Sequence, residues 1–290
     1  MNKYLLSALL LSLLLFTSDR SYAEKIKVIA SIAPLADFVK QVGGENIEVK
    51  VLLPPGASPH TFEPTPRAIR EVSDAGIFIK IGAGFEFWAE KILAASGNKK
   101  LIIIDSSSGI LLIKDPHSHG TSTGDPHIWL DPLIAITVVS KIEGALIKAD
   151  PGNAEYYKKN SVRYREQLSH LDREIYAKTR TLRIKEYVTF HPAWNYFSKR
   201  YGLHVAGVIE ESPGKEPGPK HIAKIISDIK RIGSRVVFVE PQFNPKVAEV
   251  IARESGAKVL YLDPIGGAKG RETYIDLMRY NISVIERVMK

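Results

Sequence analysis

Short apolar runs alternate with amphipathic segments along the first half of the chain. Runs rich in β-branched residues predict buried strands, and segments with helical periodicity between them predict helices. Strands that alternate with helices in this way are typical of a parallel sheet covered by helices. The predicted strands cover 25–32, 47–53, 76–82 and 101–105, and the predicted helices 34–44, 66–74, 85–96 and 132–149.

The same alternation returns in the last third of the chain and predicts a second sheet of four strands. The expected fold is therefore α/β with two lobes, each a four-stranded, mostly parallel sheet wrapped by helices. The strands are expected at 186–190, 204–209, 235–240 and 258–263, with helices at 192–202, 220–233, 245–255 and from about Thr273.

Between the two halves, residues 151–182 are highly charged and contain no glycine or proline after Gly152. Their large apolar residues recur at spacings of 7, 4, 3, 4 and 7, which predicts one long helix with a narrow apolar seam. Two interpretations remain open, a coiled-coil dimer or a single rigid helix lying across two lobes. The seam consists of Tyr157, Tyr164, Leu168, Leu171, Ile175 and Leu182.

The predicted division of the chain begins with a secretory signal at residues 1–23. Lys3 precedes a twelve-residue apolar run, and a small-x-small cleavage pattern ends at Ala23. The run is too short to cross a bilayer, which requires about 20 residues. Beyond the signal we expect an N-terminal lobe at 24–150, a linking helix at 151–183 and a C-terminal lobe at 184–290.

The amino-acid composition limits the cellular compartments and the kinds of partner that the protein can have. The chain contains no cysteine, which excludes disulfides, thiolate ligands and a lipid-modified cysteine. We therefore expect a protein that is free in the periplasm. A net charge of +8 is compatible with nucleic-acid binding. The basic residues are scattered, however, and no basic run is interleaved with aromatic residues. A solvated basic surface is the favoured interpretation, with no nucleic acid as partner.

Four side chains carry the candidate chemistry. His60 lies in the loop "LLPPGASPHTFEPTP", whose prolines restrict the backbone. His191 and Asp263 directly follow predicted strands, as the His60 loop does, and His127 lies in "GDPHIWLDP". Because ligands bind at the carboxyl ends of parallel strands, these residues can meet only in a cleft between the lobes.

Three imidazoles and one carboxylate suit Zn²⁺, which takes nitrogen and oxygen ligands in tetrahedral geometry. A harder ion such as Mn²⁺ is better served by more carboxylates. Any one of the histidines alone is better explained as a structural group, but three in matching contexts favour a zinc site. Trp129 and Trp194 are expected to pack in the core or the cleft wall.

Five motifs in order resemble the ZnuA-type zinc-binding proteins of bacterial ABC importers, a metal-receptor cluster that also includes manganese receptors. The resemblance covers nearly the whole mature chain. It implies the two-lobed fold with a long backbone helix and places the metal ligands at His60, His127, His191 and Asp263. The motifs are "LLPPGASPHTFEPTP", "DPHIWLDP", "TFHPAWNYF", "FVEPQF" and "YLDPIG".

The resemblance also favours zinc over manganese as the bound metal, and this chain departs from the family pattern in some features. Manganese-preferring relatives usually carry a carboxylate where this chain has His191. The histidine-rich loop of many zinc receptors is short here, with only His117 and His119 as a candidate accessory metal catcher. In the family, water sometimes replaces the carboxylate at the position of Asp263.

We therefore expect a non-enzymatic, monomeric periplasmic receptor that delivers Zn²⁺ to an inner-membrane ABC permease. The alternatives are a manganese or iron receptor of the same family, a zinc-dependent hydrolase with water on the metal, and an adhesin-like surface protein of the same fold. Charged residues near the strand ends could also hold the imidazoles by hydrogen bonds, although capping or surface ion pairs are the favoured role for them. They are Glu63, Arg67, Glu210 and Glu240.

Overall fold

The computed structural model describes residues 24–114, 124–212 and 214–290. Within these ranges the chain forms two four-stranded sheets in which every pair of neighbouring strands is parallel. The two sheets share one topology, with strand orders β2-β1-β3-β4 and β6-β5-β7-β8. The strands are β1 (Ile26–Ala30), β2 (Ile47–Val51), β3 (Ile77–Lys80), β4 (Ile102–Asp105), β5 (Glu186–Thr189), β6 (His204–Val208), β7 (Val236–Val239) and β8 (Lys258–Tyr261).

Helices connect and cover the strands, so the predicted two-lobed α/β fold is confirmed. Several begin with proline in the first turn, where its missing N–H costs no hydrogen bond. The helices are α1 (Ala33–Gly43), α2 (Pro66–Ser73), α3 (Ala89–Ser96), α4 (Pro132–Ala149), α5 (Ala154–Arg180), α6 (Asn195–Tyr201), α7 (Pro219–Ile232), α8 (Lys246–Ser255) and α9 (Tyr274–Met289).

The start of α3 differs from the prediction by four residues. The predicted helix begins at Phe85, whereas the structure turns there and starts the helix at Ala89. Glu86 explains the difference, because its buried carboxylate accepts hydrogen bonds from the N–H groups of Ile81 and Gly82 at 2.8 and 3.0 Å. This contact folds residues 82–88 back towards the end of β3.

Helix α5 runs 27 residues and packs on helices of both lobes, namely α1 and α4 of the first and α6 and α9 of the second. Five residues of the predicted seam lie on this helix and Leu182 follows its end, and all six are buried within the chain. A seam that is already covered cannot pair with a second helix. The structure therefore favours one helix lying across two lobes over the coiled-coil dimer.

The lobes share a continuous apolar core that contains residues of both sheets and of α5. A buried polar contact crosses the same region, where one carboxylate oxygen of Asp37 accepts from the Tyr164 hydroxyl and from the Tyr274 backbone N–H, both at 2.9 Å. Burial and the Asp37 charge raise the pKa of Tyr164 well above its usual value. Because closely packed cores resist deformation, we expect small lobe movements.

The predicted signal at 1–23 and the loop residues His117 and His119 lie outside the described residues. Within the part of the chain that is described, no helix combines the length and the apolar character needed to cross a membrane.

Candidate metal centre

His60 lies in a loop between β2 and α2 that is held in place by hydrogen bonds. The Ser58 hydroxyl accepts the backbone N–H of His60 at 3.3 Å, and the Thr61 N–H donates to the Ser58 carbonyl at 3.3 Å. The Trp88 indole donates to the Pro59 carbonyl at 3.3 Å and pins the loop to the first lobe. The imidazole Nε2 is buried and has no hydrogen-bond partner among the described residues. The loop thus presents one free ring nitrogen.

His127 lies just before α4 and is oriented by Asp125. One oxygen of this buried carboxylate accepts the backbone N–H of His127 at 2.9 Å and lies 2.8 Å from its Nδ1. That contact places the proton on Nδ1 and leaves Nε2 free for a metal. The second oxygen of Asp125 accepts from Asn195 at 3.0 Å, and its backbone carbonyl accepts from the Tyr196 hydroxyl. Second-lobe residues therefore position a candidate ligand of the first lobe.

His191 lies two residues after the end of β5 and next to Glu240, which follows β7. Its Nδ1 is 3.1 Å from an oxygen of the fully buried Glu240, although the angle between them does not meet that of a hydrogen bond. The same oxygen accepts from the Trp194 indole at 3.1 Å. The ring of Phe243 packs 5.0 Å from the His191 ring. Glu240 thus supplies negative charge behind the imidazole.

The other charged residues that the sequence marked have different contacts. Glu210 accepts the backbone N–H of Gly214, and Arg67 pairs with Glu71 at 3.1 Å on the surface of α2. These contacts match the favoured roles in turns and surface ion pairs.

The three histidines meet where the lobes face each other. Their ring centroids lie 5.3 to 6.3 Å apart. One nitrogen from each of His60, His127 and His191 can be chosen so that all three lie within 4.8 Å of one another. In the described ranges this is the only group of three or more potential ligands with such spacing. Residues distant in the chain are thus brought to one point.

The sequence predicts Asp263 as a fourth ligand, but in the structure its carboxylate is hydrogen-bonded to the backbone of its own loop. One carboxylate oxygen accepts the N–H groups of Ile265 and Gly266 at 3.0 and 2.9 Å. The other lies 3.4 Å from the guanidinium of Arg271. The Asn281 side chain bonds to both the N–H and the carbonyl of Asp263. The Asp263 carboxylate is not part of the group of side chains whose potential ligand atoms lie within 4.8 Å of one another.

Apolar walls enclose the histidine cluster. Phe85, Trp129, Phe243, Pro264 and Ile265 line the pocket together with the three rings. The cavity volume is about 10 Å³, which is on the order of the space that one water molecule occupies. The site is therefore of a size that suits a cation with a small ligand such as water.

Burial gives His60 an unusual titration. Removal from water lowers its pKa from 6.5 to about 3, with smaller contributions from the neighbouring His191 and His127. The folded chain therefore favours the neutral ring, and this contribution to stability is complete above about pH 6.5 and is lost as the pH falls towards 3. The imidazole is ready to bind a cation without first losing a proton.

We expect the His60 ring of the metal-free protein to remain neutral at pH 5. Nuclear magnetic resonance of the labelled imidazole measures this, with the urea-unfolded chain, where histidine titrates near pH 6.5, as the reference. A His60 ring that becomes protonated near pH 6.5 in the folded protein would contradict the expected burial.

Asp125→Ala is expected to weaken metal binding by 10- to 100-fold, the usual effect of losing a residue that orients a ligand. The variant removes the contact that holds the orientation of the His127 ring and keeps the proton on Nδ1. Asp125→Asn is the matched variant with an intermediate expected loss, because it keeps the oxygen that accepts both N–H groups of His127 but loses the carboxylate oxygen that accepts from Asn195. Competition with a chromophoric chelator measures both, and an unchanged affinity in Asp125→Ala would show that the contact is dispensable.

Two lobes that each contribute histidines to an enclosed point at their boundary define a two-lobed solute-binding protein. The family model of ZnuA, the periplasmic component A of the zinc-uptake complex, matches residues 28–288. The chain belongs to this family.

Curated relatives agree with the family assignment. The high-affinity zinc uptake system protein ZnuA of Bacillus subtilis is 31% identical over 284 residues, which covers 93% of this chain and 89% of the relative. The zinc-binding protein AdcA of Streptococcus pyogenes is 31% identical over 285 residues, but this chain spans only 55% of its length.

Solved structures with the same fold include zinc-bound members. A ZnuA deletion mutant with zinc bound has a TM-score of 0.83 and 32% identity, covering 92% of this chain and 98% of the other. The laminin-binding protein Lmb of Streptococcus agalactiae, described as a bifunctional protein with adhesin and metal-transporting activity, has a TM-score of 0.82 and 29% identity over 92% of this chain and 100% of the other.

Proposed function

We propose that this protein is a periplasmic receptor that captures one Zn²⁺ per chain and delivers it to an inner-membrane ABC permease. The observation that supports the proposal is the cluster of His60, His127 and His191, in which one ring nitrogen of each residue can be chosen so that all three lie within 4.8 Å of one another. Family membership supports the same function, as do zinc-bound relatives.

The donor set supports zinc over the harder ions of the alternative receptors. Three neutral imidazoles suit Zn²⁺, whereas manganese sites favour carboxylates and water. The sequence marks Asp263 as the fourth ligand, with water as the alternative. The contacts of Asp263 with Ile265, Gly266 and Arg271 favour a water molecule in that position.

The small, apolar pocket supports capture and not hydrolysis. A hydrolytic zinc site needs room beside the metal for both a water and a substrate. The cavity volume of about 10 Å³ offers no such room. We therefore assign no catalytic residue.

The remaining parts of the proposal concern delivery and organisation. A signal at 1–23 is cleaved during export, and the mature chain acts as a monomer with lobes at 24–150 and 184–290 joined by residues 151–183. The permease engages the loaded receptor, and the shared core supports transfer with small lobe movements.

Calorimetric titration of the metal-free protein with Zn²⁺ and Mn²⁺ tests the proposed function. We expect one tight zinc site per chain and much weaker manganese binding. The zinc-loaded protein should show no esterase or phosphatase activity. Absence of zinc binding, or turnover that depends on zinc, would contradict the receptor function.

A further inference from the structure

Gln242 brings an unpaired carbonyl to the pocket that holds the histidine cluster. Its side-chain oxygen is buried and has no hydrogen-bond partner among the described residues. Besides the three histidines, only Ser58 and Gln242 contribute polar side chains to the described pocket lining. The Ser58 hydroxyl already accepts the N–H of His60. The Gln242 oxygen is thus the acceptor that the pocket leaves unused.

The backbone around Gln242 is held by a turn, which sets the point from which its side chain reaches the pocket. Residues 240–243 form a turn closed by the Phe243 N–H on the Glu240 carbonyl at 3.1 Å, with Pro241 at the second position, where its fixed φ favours a turn. The Phe243 ring stacks on Phe190 at 5.0 Å. The turn that brings Glu240 to His191 therefore also delivers Gln242.

A buried carbonyl without a donor is unfavourable, which calls for a donor in the filled site. A water bound to Zn²⁺ is such a donor, because the ion polarises its O–H bonds. An amide oxygen is itself a poor zinc ligand, since zinc prefers imidazole, thiolate and carboxylate. Asp263 does not belong to the group of ligand atoms that lie within 4.8 Å of one another, and its carboxylate is held by Ile265, Gly266 and Arg271, which favours water at the fourth position of the ion.

We infer that Gln242 accepts a hydrogen bond from a water that completes the coordination of the zinc ion, and so acts as a positioning residue for the captured metal. The inference rests on the proposed function. It assigns a role to the glutamine of the "FVEPQF" segment that the ligand set leaves unexplained. The Gln242 side chain is neutral, so its hydrogen bond to the water does not change the net charge of the metal site.

Gln242→Leu tests the inference, because it removes the acceptor and keeps a side chain of similar size. We expect about 10-fold weaker zinc binding, at the lower end of the effect of losing a residue that hydrogen-bonds a metal ligand. The melting temperature of the metal-free variant should not fall, since the lost carbonyl had no partner to lose. In the Co²⁺-loaded variant, the visible absorption bands should shift. Gln242→Glu keeps an acceptor and should restore the affinity, and Gln167→Leu on the exposed face of α5 is the control.

The outcomes separate this inference from the proposed function. Zinc binding by the wild-type chain together with unchanged affinity and unchanged Co²⁺ bands in Gln242→Leu would overturn the role of Gln242 alone. A lower melting temperature of the metal-free variant would assign Gln242 a structural role and also overturn the inference. If the wild-type chain does not bind zinc, both fail.

Discussion

His127→Ala is expected to weaken zinc binding by about 100-fold or more. Removing a residue that only orients a ligand reduces metal affinity 10- to 100-fold, and this variant removes one of the three proposed ligands. It also leaves Asp125 buried without the imidazole that it holds at 2.8 Å. His60→Ala and His191→Ala are expected to reduce the affinity to a similar degree. Chelator competition at pH 7 measures all three.

A matched control separates loss of a ligand from loss of any histidine. His170 is exposed on α5, away from the cluster, so His170→Ala should bind zinc as the wild type does. Circular dichroism of the metal-free variants should show the native helix content. Wild-type affinity in all three cluster variants would refute the ligand assignment, and an equal loss in His170→Ala would show that the effect is not specific.

Trp129→Ala is expected to lower the free energy of unfolding by about 3–5 kcal/mol, the usual cost of truncating a fully buried tryptophan. The Trp129 ring is 1% exposed and packs 5.0 Å from Phe85 and 5.3 Å from His127. Its indole donates to the Pro264 carbonyl at 2.7 Å, and its own carbonyl accepts from the Tyr274 hydroxyl at 2.7 Å. This one residue therefore links the two lobes beside the metal pocket.

Urea denaturation of the metal-free protein measures the effect. Trp129→Phe keeps an aromatic ring but loses the indole donor, so a loss of about 1 kcal/mol from the hydrogen bond is expected in addition to the smaller change in packing. Phe87→Ala is the control on the same side of the site, because Phe87 is 62% exposed and should change stability by less than about 0.5 kcal/mol. Equal losses in Trp129→Ala and Phe87→Ala would contradict the proposed link between the lobes.

The fold could be predicted from the sequence because its elements are specified locally. Helix α4 begins and ends at the predicted residues, since Asp131 caps its start by accepting the Leu133 N–H at 2.8 Å and Pro132 occupies the first turn. The central strands β3, β5 and β7 follow from short apolar runs that are mostly buried in each sheet. The start of α3 could not be predicted, because the contact of Glu86 with the N–H groups at the end of β3 competes with helical periodicity.

His60 and His191 could be identified from their positions after strands and His127 from its motif, but their supporting contacts could not. Asp125 orients His127 and is itself held by Asn195 from the other lobe, and no local pattern encodes that pairing. Its place two residues before His127 was the one available signal, because aspartate often bonds the N–H two residues on. The engagement of Asp263 by Arg271 likewise depends on the folded loop.

A crystal structure of the zinc-loaded protein, with the ion located by its anomalous scattering, tests the central claim most directly. The account predicts one zinc ion per chain at the boundary of the lobes, bonded at about 2.0–2.1 Å to one nitrogen of each of His60, His127 and His191. An ion bound at any other place, or a bound ion with one of these three rings turned away from it, would contradict the account.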